Sequence, residues 1–187
     1  MQGKEILDTI KFWTTWAQEN NASNYDIAIL KIWIKFEKYL GEVFLKYSIG
    51  QSSELGYKPR LKISFADESH FNAFMKDKNR KYIDYLDKIE NLSEHIFIEN
   101  PFNIILLDVE RTQNFKRLKC LRNYIAHESE EARRKVIQQC FGGDEKKFKE
   151  PNEYLKSKPK NSSESYYTIY IKLIEEVVEA INSKIEE

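Results

Sequence analysis

The chain has 187 residues, of which 41% are hydrophobic and 32% charged, with 30 basic side chains balanced by 30 acidic ones. This excludes a disordered coil, and a formal net charge of zero excludes a generic basic coat for nucleic acid, so any RNA contact must come from a local patch. Residues 1–187 read as one domain, able to bury roughly 70% of its unfolded surface without cross-links.

Only six glycines and four prolines interrupt the chain, so long regular segments are expected. Residues 5–19 carry Ile6, Leu7, Ile10, Trp13, Trp16 and Ala17 at spacings of three and four, the pattern of an amphipathic helix. A polar stretch, Asn20 to Asn24, breaks it, and Ser23 or Asn24 is placed to cap the next helix. That helix is predicted over 25–47, about 35 Å long, with Ile29, Trp33, Phe36, Leu40, Val43, Phe44 and Tyr47 on one side. Ile27, Leu30, Ile34 and Leu45 widen the apolar surface, which calls for a central position among two or more neighbours.

Gly50, Gly56 and Pro59 mark a loop. Residues 61–65 alternate like a short strand but have no obvious partner, so they read as irregular extended chain. Asp67 is expected to cap a short helix over 70–77. Residues 81–97 give another helix, with Ile83, Leu86, Ile89 and Leu92 recurring at threes. From Ile104 to Val136 the apolar repeat reads as one long helix, bent or interrupted near Asp108 and again near His127. Gly142 and Gly143 end it. Residues 146–160 are polar, hold two prolines, and read as an exposed loop. Ser162 or Ser163 is expected to cap a last helix running from Tyr166 through Ile181. The expected fold is all-α, with four long helices and two or three short ones.

One segment carries chemistry. In the run Leu118 to His127, the polar groups Arg122, Asn123 and His127 interrupt an apolar helical pattern. Asn123 and His127 lie four apart and share a helix face. Arg122 lies about 140° round the axis from His127, within reach of its long side chain if the helix bends. Histidine moves protons near neutral pH, arginine holds phosphate through a planar fork of donors, and asparagine orients either without adding charge. Together they suit metal-free cleavage of an RNA phosphodiester. His127 would act on the ribose 2′-hydroxyl or the leaving oxygen, and Arg122 would stabilise the phosphorane-like transition state. One histidine does not serve comfortably as both base and acid, and a twofold dimer would supply the second.

Arg122–Asn123–Tyr124–Ile125–Ala126–His127 resembles the Arg-polar-(three to five residues)-His signature of the HEPN domains (higher eukaryotes and prokaryotes nucleotide-binding domains). The resemblance implies an antiparallel helical bundle that forms a homodimer through its motif-bearing helices. It implies a metal-independent endoribonuclease without cofactor, of the kind found among toxins and antiviral-defence effectors, restrained by an antitoxin or another regulatory protein. Arg122 and His127 would be the catalytic pair and Asn123 the supporting polar residue.

Other readings stay open beside it. His127 could simply face its helix's C-terminal dipole, and Arg122 could pair with Glu128, Glu130 or a distant carboxylate. A catalytically inactive helical module that holds RNA or protein would use the same surface. Arg117, Lys119, Arg133 and Arg134 are candidate RNA phosphate contacts, and Tyr124 is a candidate base stack or dimer contact. His70 and His95 have no neighbouring ligand set, and no metal site is expected. Cys120 and Cys140 are too few for a disulfide framework and are expected reduced. No apolar run reaches the roughly 18 residues of a membrane span, and no secretory signal is visible, which leaves the cytoplasm as the expected compartment.

Overall fold

A computed structural model describes residues 2–19, 24–76 and 85–183. Within them the helices are α1 (Gln2–Glu19), α2 (Tyr25–Ser48), α3 (Glu68–Met75), α4 (Tyr85–Ile96), α5 (Asn103–Leu106), α6 (Val109–His127), α7 (Glu130–Phe141), α8 (Pro151–Lys156) and α9 (Tyr166–Asn182). The architecture is an all-α bundle. Among the described residues its only β pairing is an isolated antiparallel bridge between Leu61 and Phe97; the extended 61–65 segment is also held by the Lys62 amide on the Ile96 carbonyl and the Phe65 amide on the Ser48 carbonyl. None of the described helices is long and apolar enough to cross a membrane.

The centre of the bundle is α2, packed by α1, α3, α4, α6, α8 and α9. Its 24 residues bury Ile29, Ile32, Trp33, Phe36, Tyr39, Leu40, Val43, Phe44 and Tyr47, as the breadth of its apolar surface requires. Ile27 and Ile34 instead stay exposed, so the neighbours do not wrap it completely. Asn24 stands at its N-cap without a side-chain cap bond, while Ser23 lies outside the described residues. The start of the helix expected over 81–97 also lies outside them.

The apolar run from Ile104 to Val136 is divided at both expected places. Asp108 accepts a hydrogen bond from the Arg111 amide at 2.7 Å and caps α6. At the other end Glu128 adopts φ 46°, and Ser129 accepts from the Ala132 amide to start α7. Gly142, at φ 63°, closes α7 in the left-handed conformation that glycine adopts without strain.

Two expectations need correction. The 146–160 stretch is not simply an exposed loop: a 3₁₀ turn at Glu145–Lys147 leads into α8, where Pro151, Tyr154 and Leu155 are buried. An i, i+3, i+4 triplet suffices to anchor one short helix, and the surrounding lysines mask it in the sequence. The cap of α9 is Ser165, whose hydroxyl accepts from the Thr168 amide at 3.2 Å. Ser162 instead turns the preceding loop by accepting from the Glu164 amide.

Candidate functional site

Helix α6 sorts its side chains by direction. Phe115, Leu118 and Leu121 are buried and hold the helix to the core, which fixes where the intervening polar residues emerge. Arg122 follows Leu121 and reaches Glu37 on α2. Its Nη2 donates to Glu37 Oε2 at 3.1 Å, and its Nη1 donates to Asn123 Oδ1 at 2.8 Å. The ion pair is half-buried, with 30% of the Arg122 side chain and 28% of Glu37 exposed. Arg122 Nε is buried and has no hydrogen-bond partner among the described residues. Asn123 therefore orients the guanidinium, while Glu37, 85 residues earlier in the chain, opposes its charge.

His127 is the last residue of α6 and is exposed, and its side chain makes no hydrogen bond or ion pair with a described residue. Among the described residues its successor Glu128 is the only non-glycine with positive φ. A left-handed residue with a Cβ costs roughly 1–2 kcal/mol. The Glu128 amide, bonded to the Tyr124 carbonyl at 2.8 Å, and the Ser129 cap hold the turn in place. The chain reverses directly after His127 and leaves the imidazole on an outer corner. The hydrogen bonds of the Arg122 guanidinium go to Asn123 and Glu37, and none goes to His127.

The surrounding candidates separate into groups. Arg117 is tied down inside the α6–α7 pair, with Nε donating to the Gln139 carbonyl at 3.2 Å and Nη1 to Asn114 Oδ1 at 3.1 Å. Lys119 turns towards α4 and pairs with Asp87 at 2.7 Å. Tyr124 and Arg133 converge on Phe148, in the segment between the 3₁₀ turn and α8. The Tyr124 ring lies 6.1 Å from Phe148 and its hydroxyl 3.5 Å from Glu150 Oε2. The Arg133 guanidinium sits 4.5 Å over the Phe148 ring and pairs with Glu145 at 2.9 Å. Partial burial and the Glu150 carboxylate raise the Tyr124 phenol above its ordinary range. Arg134 is exposed and unpaired among the described residues.

The basic surface seen in the sequence is thus largely neutralised within the fold. Its acids, Glu37, Asp87 and Glu145, come from three other elements. No local pattern flags them, because each is an ordinary helical or turn carboxylate until the tertiary fold sets it beside a cation. Both cysteines are free. Burial raises the Cys120 thiol and pushes Cys140 up to about 12, so neither is poised as a thiolate. Among the described residues no group of three or more His, Cys, Asp or Glu side chains is placed to hold a metal ion.

Comparison with protein-family models, with curated proteins and with solved structures finds no significant match to this chain.

Proposed function

We propose that this helical domain is a metal-independent endoribonuclease that cleaves RNA by 2′-hydroxyl attack. The observation that carries the reading is the exposed His127 imidazole, without a hydrogen-bond or ion-pair partner among the described residues, ending the same helix that presents a solvent-reachable Arg122 held by Asn123. An imidazole sealed against the core would have ended the idea.

In the proposed reaction the 2′-oxygen attacks phosphorus as its proton passes to an imidazole. The bond from phosphorus to the 5′-oxygen breaks, and that oxygen takes a proton from a second, protonated imidazole, which is left neutral. The products are a 2′,3′-cyclic phosphate and a 5′-hydroxyl end. Arg122 offsets the charge that gathers on the phosphoryl oxygens. Two copies of His127, brought together about a twofold axis through the motif-bearing helices, would divide the base and acid roles. A HEPN-like bundle, an RNA target in the cytoplasm, and a role as toxin or defence effector restrained by an antitoxin belong to the same reading.

Cleavage of total and transfer RNA in EDTA tests it. Wild type is expected to cut, and His127→Ala and Arg122→Ala are each expected to lose at least about 100-fold. Undiminished cutting by the His127 variant sinks the mechanism. The Arg122–Glu37 pair favours a second reading, a module that holds RNA or protein without cleaving it, because a neutralised guanidinium contributes less to a transition state. RNA binding with no cleavage in any condition would select that reading.

A further inference from the structure

We propose that Glu37 is an electrostatic latch on Arg122: RNA must displace this carboxylate before the guanidinium can take a phosphate. The inference rests on the reading of Arg122 as a phosphate-binding group. Glu37 is the most covered carboxylate among the described ion pairs, at 28% exposed, against 46% for Asp87 and 71% for Glu145. Solvent screens the last two and leaves them easily exchanged, whereas Glu37 acts on its arginine through a drier medium. Its backbone cannot move aside, because its neighbours on α2, Phe36, Tyr39 and Leu40, are all buried.

While the latch is closed Nη2 gives one N–H to Glu37 and Nη1 gives one to Asn123, which leaves one N–H on each, and the buried Nε closes the edge on which Nε and an Nη would together grip a phosphate. An arriving phosphate would also meet the like charge of Glu37. Yet both partners keep about 30% of their side-chain surface exposed, so carboxylate and phosphate can exchange on one guanidinium without the helices parting. Asn123, uncharged, holds the group through either state.

The test is binding of a labelled single-stranded RNA with 2′-O-methyl ribose throughout, which 2′-hydroxyl attack cannot cut. Glu37→Gln keeps an oxygen acceptor for Nη2 and removes only the charge. At ~0.1 M salt it is expected to bind about tenfold tighter than wild type. Its affinity should fall more steeply with salt, by roughly one additional phosphate contact. Glu42→Gln removes the same charge from the same helix without touching Arg122 and should change affinity less than about twofold. In an Arg122→Ala background the gain from Glu37→Gln should vanish. Glu37→Asp draws the charge back by one methylene and should give a smaller gain in the same direction. It decides the matter if Glu37→Gln does not fold.

Unchanged or weaker binding by Glu37→Gln, an equal gain from Glu42→Gln, or a gain that survives Arg122→Ala each overturns the latch. Cleavage of ordinary RNA by the same proteins separates the two proposals. Tighter binding without His127-dependent cutting keeps the latch and removes the enzyme. His127-dependent cutting without tighter binding does the reverse.

Discussion

The molecule treats polar side chains in two opposite ways, at the tyrosine seam around α9 and at the corner where α6 turns into α7. In the seam Tyr154 stacks on Tyr166 at 4.3 Å and shares a hydrogen bond with the Tyr170 hydroxyl at 3.0 Å. Tyr167 stacks on Tyr25 at 4.2 Å and meets the Thr14 hydroxyl at 3.0 Å. Tyr47 donates to the Ile181 carbonyl at 2.7 Å, and Tyr39 accepts from Asn182 Nδ2 at 2.8 Å. These groups are neutral, and Tyr39, Tyr47, Tyr154, Tyr167 and Tyr170 are buried with their hydroxyls hydrogen-bonded, so they add hydrogen bonds to apolar burial without leaving a charge to desolvate. At the corner the groups are charged and partly wet. Pairs of that kind contribute little to stability, at most about 1 kcal/mol each, but they can be exchanged for an outside ligand.

Alkaline pH should break the comparison most severely. Burial holds the Tyr39, Tyr154 and Tyr170 phenols well above their usual range and pushes Tyr47 and Tyr167 up to about 12. A phenol whose pKa is raised by folding contributes stability that is fully present below its ordinary value of 10.0 and is lost as pH climbs through the raised value. The bundle should therefore weaken above pH 10 and unfold as pH passes about 12, with helical circular dichroism lost as phenolate absorbance appears. Full phenolate absorbance near pH 10 with the helices intact would mean the seam is open to water.

A smaller effect comes from Tyr154→Ala, which removes a ring only 2% exposed and the partner of the Tyr170 hydroxyl. It should cost about 3–5 kcal/mol, read from urea unfolding. The smallest effect sharpens the contrast: His127→Ala should leave stability within about 0.5 kcal/mol of wild type, even where it abolishes cutting. A destabilisation comparable to that of Tyr154→Ala would make His127 a structural residue, whatever its exposure suggests.

The two regions also differ in how much of them could be read beforehand. That Tyr167 and Tyr170 lie on the buried face of the last helix is legible in the apolar 3–4 repeat that they share with Leu173, Ile174, Val177 and Val178. Their partner Tyr154 was hidden, because α8 is too short to show a period and lies among lysines. On α6, Asp108 and the break near His127 were legible because capping is local chemistry, confined to three or four residues. The choice of Ser165 over Ser162 or Ser163 was not, since all three serines have the right side chain and only the packing of α9 selects one.

By itself the sequence determined that the chain is helical, that α2 lies at the centre, that α6 ends near His127, and that Arg122 and Asn123 are adjacent on that helix. Those follow from periodicity, caps and covalent neighbourhood, which act over a few residues. Only the tertiary structure decided that Glu37 meets Arg122, that Phe148 lies between Tyr124 and Arg133, and that the imidazole stands clear on a corner. Charge pairing across 85 residues has no signature along the chain, because any of 30 acidic side chains could have met that guanidinium until packing of the apolar faces chose one.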